Sequence, residues 1–123
     1  MQQRDSFLTH QVKSFRFAFE GIFYSFKKGT HFKFHTVAAT ITIILGLVYS
    51  ISAFEWLVLV LIISAVIAAE AINTAIEETG NVLHPEHHPR VRLAKHCAAG
   101  GVLILSIAAI IIAFIIFAPK IIG

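Results

Sequence analysis

Apolar residues fill three long stretches of this chain, and the second is interrupted near its end by acids. From Trp56 to Ile76 it reads WLVLVLIISAVIAAEAINTAI, enough to cross a bilayer at about 20 residues per helical span. An earlier stretch, FKFHTVAATITIILGLVYS, runs from Phe32 to Ser50, and a later one, VLILSIAAIIIAFIIFA, follows Gly101. The pattern predicts helices over 34–51, 56–78 and 97–118. Ser52-Ala53-Phe54-Glu55 reads as a tight turn that makes the first two antiparallel, with Tyr49 and Trp56 as interfacial anchors.

Ahead of these stretches the pattern changes. In residues 6–28, Phe7, Phe15, Phe19, Ile22, Phe23 and Phe26 recur near helical spacing among Lys13, Arg16, Glu20 and Lys27. This predicts an amphipathic helix lying in the membrane interface, weakened locally at Gly21, with its basic residues near anionic head groups. Lys28-Gly29-Thr30 reads as a break. Thr79 to Pro89 reads as a loop, because Gly80, Pro85 and Pro89 argue against continued helix. Ala98, Ala99, Gly100 and Gly101 open the last span with small side chains, which predict a close helix approach beside the acidic face. The fold class is therefore all-α membrane: an N-terminal amphipathic interfacial helix followed by three transmembrane helices, in one domain over residues 1–123.

Composition agrees with this picture. Only 14% of residues are charged and mean hydropathy is +0.80, against about 25% charged in a soluble domain. The ten Lys and Arg residues are at 4, 13, 16, 27, 28, 33, 90, 92, 95 and 120. With the predicted spans, nine of the ten fall on one side, which the positive-inside rule makes cytoplasmic, the N-terminus included. Topology thus accounts for the basic charge, and no nucleic-acid partner is expected. The single Cys97 has no internal disulfide partner and reads as a small packing residue. His84, His87 and His88 lack an accompanying Cys or fourth-ligand pattern, so they read as a wet turn rather than a zinc site. His35 reads as an ordinary interfacial histidine.

The chemistry concentrates at Glu70, Asn73 and Glu77. Their spacing of i, i+3 and i+7 puts them within roughly 60° of one another on one helix face. A carboxylate near the centre of a spanning helix costs about 2.5–3.5 kcal/mol by insertion scales. Two acids and an amide are an oxygen-rich set of the kind a hard cation such as Mg2+ takes. Two plainer readings stand beside this one. Glu77 and Glu78 can be the wet end of a helix, and Glu70 or Asn73 can make a structural helix–helix hydrogen bond.

AEAINTAIEE, the loop ending RLAK, the FKFH opening of the first span and the AAGGVLI start of the last resemble the small prokaryotic diacylglycerol kinase family, which includes undecaprenol kinases. The resemblance covers nearly the whole chain, and E-x-x-N-x-x-x-E within a spanning helix is an unusual pattern. It implies a homotrimer in the bacterial cytoplasmic membrane, with active sites at subunit interfaces on the cytoplasmic side. It also implies transfer of the ATP γ-phosphate to a membrane lipid, diacylglycerol or undecaprenol, with Mg2+. By matching positions, Glu70 is the catalytic carboxylate and Glu77 the metal ligand. Asn73 and Lys95 contact the nucleotide, with Lys13 and Lys33 as further nucleotide or head-group contacts. The chain has no G-x-x-x-x-G-K-[ST] loop, so kinase chemistry has to come from this membrane site.

The chain also departs from the family pattern. An acid that joins Glu77 at the metal is Gly29 here, the family's V-D after the second span is Gly80-Asn81, and its A-K-D is Ala94-Lys95-His96. Glu78 and Glu20 are the acids that remain to compensate. These losses keep open an alternative, a catalytically impaired member serving as a structural or accessory subunit of a larger membrane complex. A proton or ion carrier using Glu70 lacks a second ionisable group deep in another span.

Overall fold

The computed structural model describes residues 6–29 and 31–123. Arg4, counted among the cytoplasmic charges, and Thr30, within the expected break, lie outside the described residues. Four helices follow in order: α1 (Phe7–Lys28), α2 (Phe32–Val48), α3 (Ala53–Leu83) and α4 (Pro89–Ile122). The all-α membrane class holds. α3 and α4 are each long and apolar enough to span a bilayer. α2 has 17 residues, at the short end of the ~17–25 that suffice.

α1 begins at the Ser6 cap, whose side chain accepts from the Thr9 N–H at 3.2 Å. It runs through Gly21 without interruption, so the expected weakening there is absent. Most of its phenylalanines stay exposed, Phe7 at 75% and Phe19 at 68%, as an interfacial helix requires, while Phe26 is half-buried against Phe32. The axes of α1 and α2 meet at 101°.

Every span is displaced from its expected limits, and the shifts at the turn and the loop have local causes. α2 ends at Val48 because Ser50 takes the left-handed conformation at φ 49°. The Ser50 N–H then bonds Leu47 O at 3.3 Å and the Ile51 N–H bonds Gly46 O at 3.2 Å, the paired bonds of a Schellman end. The turn is therefore Tyr49–Ser52, and the expected turn at 52–55 is instead the start of α3. Ser52 and Glu55 form a reciprocal capping box, with bonds of 3.1 and 3.0 Å.

At the other end α3 continues to Leu83 and α4 begins at Pro89, so the loop shrinks to the five residues His84–His88. Gly80 does not stop α3, because α4 packs directly onto it. A Cβ there would lie 3.0 Å from both Lys95 Cε and Val91 Cγ1. Pro89 serves as the first helical residue, where its missing N–H costs nothing. His88 Nδ1 caps the helix by accepting from the Arg90 N–H at 3.1 Å. The His88 ring also stacks on His84 at 4.4 Å. His84 and His88 thus have a structural task.

The expected close approach at Gly100 and Gly101 is not found, since a Cβ on either would meet nothing within 4 Å. Close contacts fall instead at Gly80 and at Gly46, which lies under the Trp56 ring. Cys97, expected to pack, is exposed. The apolar core is small: Ile51, Leu59, Ile116 and Phe117, near the Tyr49–Ser52 turn. At that end Lys120 Nζ bonds Glu55 Oε2 at 2.8 Å, and at the opposite end Lys95 Nζ bonds Asn81 Oδ1 at 2.6 Å. The antiparallel α3–α4 hairpin is tied across both ends.

Candidate active site

The buried residues of α3 are Leu59, Val66, Glu70, Asn73, Thr74 and Gly80, which share one face at about 100° per residue. The acidic triplet therefore points into the protein. Glu70 is 2% exposed and Asn73 8%, while Glu77 is half-buried. The wet-end reading of Glu77 and Glu78 fits Glu78, which is exposed, and not Glu77, which is half-buried.

A buried carboxylate needs a partner, and α2 supplies one. His35 Nε2 lies 3.2 Å from Glu70 Oε1, with the imidazole 14% exposed. His35 sits in the first turn of α2, thirty-five positions before Glu70, so no local pattern links them. In sequence His35 reads as an ordinary interfacial histidine, and its place in FKFH is the one signal that marks it. Below the pair lies a cavity of ≈ 70 Å³, lined by His35, Ala39, Thr42, Leu59, Val66 and Ala113.

Asn73 and Glu77 form the second part of the site. Asn73 Nδ2 donates to Glu77 Oε1 at 3.2 Å, the pairing that i, i+4 spacing favours. Asn73 Oδ1 is buried without a hydrogen-bond partner. Such an orphan is costly, and it stands beside a carboxylate. Among the described residues no group of three His, Cys, Asp or Glu side chains could hold a metal ion. Mg2+, however, commonly takes one or two carboxylates and completes its shell with water and substrate phosphates. Glu77 with Asn73 Oδ1 fits that limited demand.

Lys95, on α4, bonds Asn81 one turn beyond Glu77, about 6 Å along the α3 axis. Lys33 is exposed in the first turn of α2 and Lys13 is exposed on α1. The chain therefore groups Glu70 with His35 and Asn73 with Glu77, and sets Lys95 nearby. It leaves Lys13 and Lys33 on outer faces.

The two acids considered as compensators are engaged elsewhere. Glu20 pairs with Arg16 at 3.1 Å on the exposed face of α1. Glu78 accepts from the Tyr24 phenol, linking α3 to α1 and holding that phenol above its ordinary range. Gly29 has no room for the acid its position would carry. A Cβ there would lie 2.6 Å from Ser25 O, 3.1 Å from Phe32 Cβ and 3.3 Å from Thr74 Oγ1.

An apolar groove of ≈ 660 Å³ runs along the α2–α3 surface, touching Ile22 and Phe32 near the α1–α2 junction and Trp56 near the far turn.

Residues 16–117 match the family described as prokaryotic diacylglycerol kinase. The chain is 37% identical over 113 residues to the undecaprenol kinase of Bacillus subtilis, covering 92% of each protein. It is 32% identical over 111 residues to a diacylglycerol kinase of Synechocystis sp., covering 89% of this chain and 63% of that protein. With a buried carboxylate at Glu70, an Asn73–Glu77 pair beside it and this similarity over most of its length, the chain belongs to the prokaryotic diacylglycerol kinase family of membrane lipid kinases.

Proposed function

We propose that this protein transfers the γ-phosphate of ATP to the hydroxyl of a membrane polyprenol, with Glu70 as general base. The observation that carries the reading is the buried Glu70, 2% exposed within the long apolar stretch of α3 in a lipid-kinase family. The His35 contact is also what a structural helix–helix bond would give, but a carboxylate this costly within a spanning helix marks a functional site by default. The polyprenol acceptor is favoured over diacylglycerol by the relative that matches along 92% of both chains, an undecaprenol kinase. The groove of ≈ 660 Å³ supports an acceptor whose apolar tail lies along α3.

Phosphoryl transfer asks mainly for positioning and charge stabilisation. In this reading Glu70 takes the proton from the lipid hydroxyl. Glu77 and Asn73 Oδ1 would hold Mg2+, which would supply charge neutralisation to the nucleotide phosphates. Lys95 leaves Asn81 to reach phosphate, and Lys13 and Lys33 are candidate contacts for nucleotide or head group. The loss of acids at residues 29, 81 and 96 predicts weaker Mg2+ binding than a fuller carboxylate set would give. The active assembly is a homotrimer with the site at subunit interfaces. The apolar side chains left exposed on α3 and α4, Ile110 at 69% and Phe114 at 71% among them, support burial against lipid or other subunits. The site faces the cytoplasm of a bacterial cell with the N-terminus on the same side, as the basic residues around α1 and the His84–His88 loop support. Nothing in the fold or the relatives favours the accessory-subunit alternative.

The test is ATP-dependent phosphorylation of undecaprenol and diacylglycerol by purified protein in mixed micelles with Mg2+, beside Glu70→Gln. Phosphorylated polyprenol that disappears in a folded Glu70→Gln protein is the expected outcome. Folded wild-type protein that phosphorylates neither lipid overturns the reading.

A further inference from the structure

We propose that His35 is a positioning residue for phosphoryl transfer: it holds Glu70 by Oε1 and leaves Oε2 to receive the lipid proton. The inference rests on the kinase function proposed above. His35 Nε2 and Glu70 Oε1 are 3.2 Å apart, and the two side chains are 14% and 2% exposed. A glutamate that acts as general base must be the carboxylate, which only accepts hydrogen bonds, so in the proposed role Nε2 carries the hydrogen of this pair.

The polar neighbours on α3 are otherwise engaged. Thr74 Oγ1 donates to the backbone carbonyl of Glu70 at 3.0 Å, and Asn73 Nδ2 donates to Glu77. The cavity under His35 is lined chiefly by alanine and aliphatic side chains. The terminal torsion of a glutamate is broad and readily rotated, whereas a general base must stand within about 2.6–3.2 Å of the proton it takes. The imidazole reaching in from α2 supplies that restraint from a separate element.

In the reaction the lipid O–H proton passes to Glu70 Oε2 as the lipid oxygen bonds to the γ-phosphorus. The bond from that phosphorus to the β,γ-bridging oxygen breaks, and the oxygen leaves with its electron pair on ADP. Glu70 then releases the proton to water. His35 keeps its Nε2 hydrogen throughout.

The experiment compares His35→Leu, His35→Gln and the control His31→Gln with wild type, using ATP, Mg2+ and undecaprenol in mixed micelles. His31 is exposed, caps α2 without a side-chain bond, and should leave activity unchanged. His35→Leu should lower kcat about 100-fold, the scale of a misplaced catalytic group, with KM for ATP within about twofold. His35→Gln, whose amide N–H can donate, should recover at least part of that loss. In parallel, 15N NMR of the wild-type imidazole should find a protonated Nε2 whose resonance moves in Glu70→Gln. An active wild type with normal kcat in folded His35→Leu overturns this proposal alone. An Nε2 resonance indifferent to Glu70→Gln does the same, and decides the matter if His35→Leu does not fold. Wild-type protein that phosphorylates neither lipid overturns the kinase function, and this proposal with it.

Discussion

Lys95 reaches from α4 to α3 and donates a 2.6 Å hydrogen bond to Asn81 Oδ1, with its stem lying over Gly80. An amide in that place holds the ammonium by a neutral acceptor, so no carboxylate competes with phosphate for it. Charge-assisted hydrogen bonds contribute about 1.5–3 kcal/mol. Lys95→Met should therefore raise KM for ATP roughly 10- to 150-fold. The methionine keeps most of the apolar stem over Gly80, so thermal stability should change little. Initial rates across an ATP series, with melting curves in the same detergent, check both expectations. An unchanged KM would remove Lys95 from the proposed nucleotide site.

Gly29 faces the opposite demand, because its neighbours leave no volume. Ser25 O and Phe32 Cβ close on the position from the chain itself and Thr74 Oγ1 closes on it from α3. Overpacking of this kind costs about 1–3 kcal/mol. Gly29→Ala should lower the melting temperature, and Gly29→Glu should lower it further. Gly29→Glu should not tighten Mg2+ dependence as a simple restored ligand would, since α1 must shift to admit it. A Gly29→Glu protein of normal stability with a lower Mg2+ requirement would contradict this geometry.

The element types were legible in the sequence, and the limits of the helices were not. Continuous apolar runs carry a strong signal for spanning helices. Their ends depend on features that composition hides. Gly80 looks like a breaker in a string of letters but is a contact surface for Lys95 and Val91. Ser52-Ala53-Phe54-Glu55 looked like a turn but carries the S-x-x-E signature of a capping box. Within the site, Glu70, Asn73 and Glu77 were visible because helical spacing puts them on one stripe. His35 was not, because its meeting with Glu70 is made by packing of α2 on α3.

Tyr24 gives α1 a pH-dependent attachment. Its phenol donates to Glu78, and that bond, with burial and the carboxylate charge, raises its pKa above the ordinary value of about 10. A raised pKa means that the docked form favours the protonated phenol. The contribution is complete below the undocked value near 10 and fades as pH rises through the raised one. Spin labels on α1 and α3 should report broadened distances above about pH 10 in the wild type. In Tyr24→Phe the distances should not change with pH. Identical pH profiles in the two proteins would dismiss the contact.

The turn between α2 and α3 combines one strained residue with one that cannot grow. Ser50 sits at φ 49°, a conformation that costs a residue with a Cβ about 1–2 kcal/mol and glycine little. Ser50→Gly should relieve that strain, less what glycine adds to the freedom of the unfolded chain, for a net gain of about 0.5–1 kcal/mol. Gly46, four positions earlier, supports the same turn by accepting from the Ile51 N–H at 3.2 Å. It also lies against Trp56, whose Cη2 would be 2.7 Å from an added Cβ. Gly46→Ala should displace the indole and the Ile51 side chain together, at a cost of about 1–3 kcal/mol. Because both changes act on one turn, their effects in the double variant should depart from additivity. Thermal melts of the two single variants and the double variant, followed by Trp56 fluorescence, check the signs. A stabilising Gly46→Ala would show that the indole yields freely, and a destabilising Ser50→Gly that Ser50 is not strained.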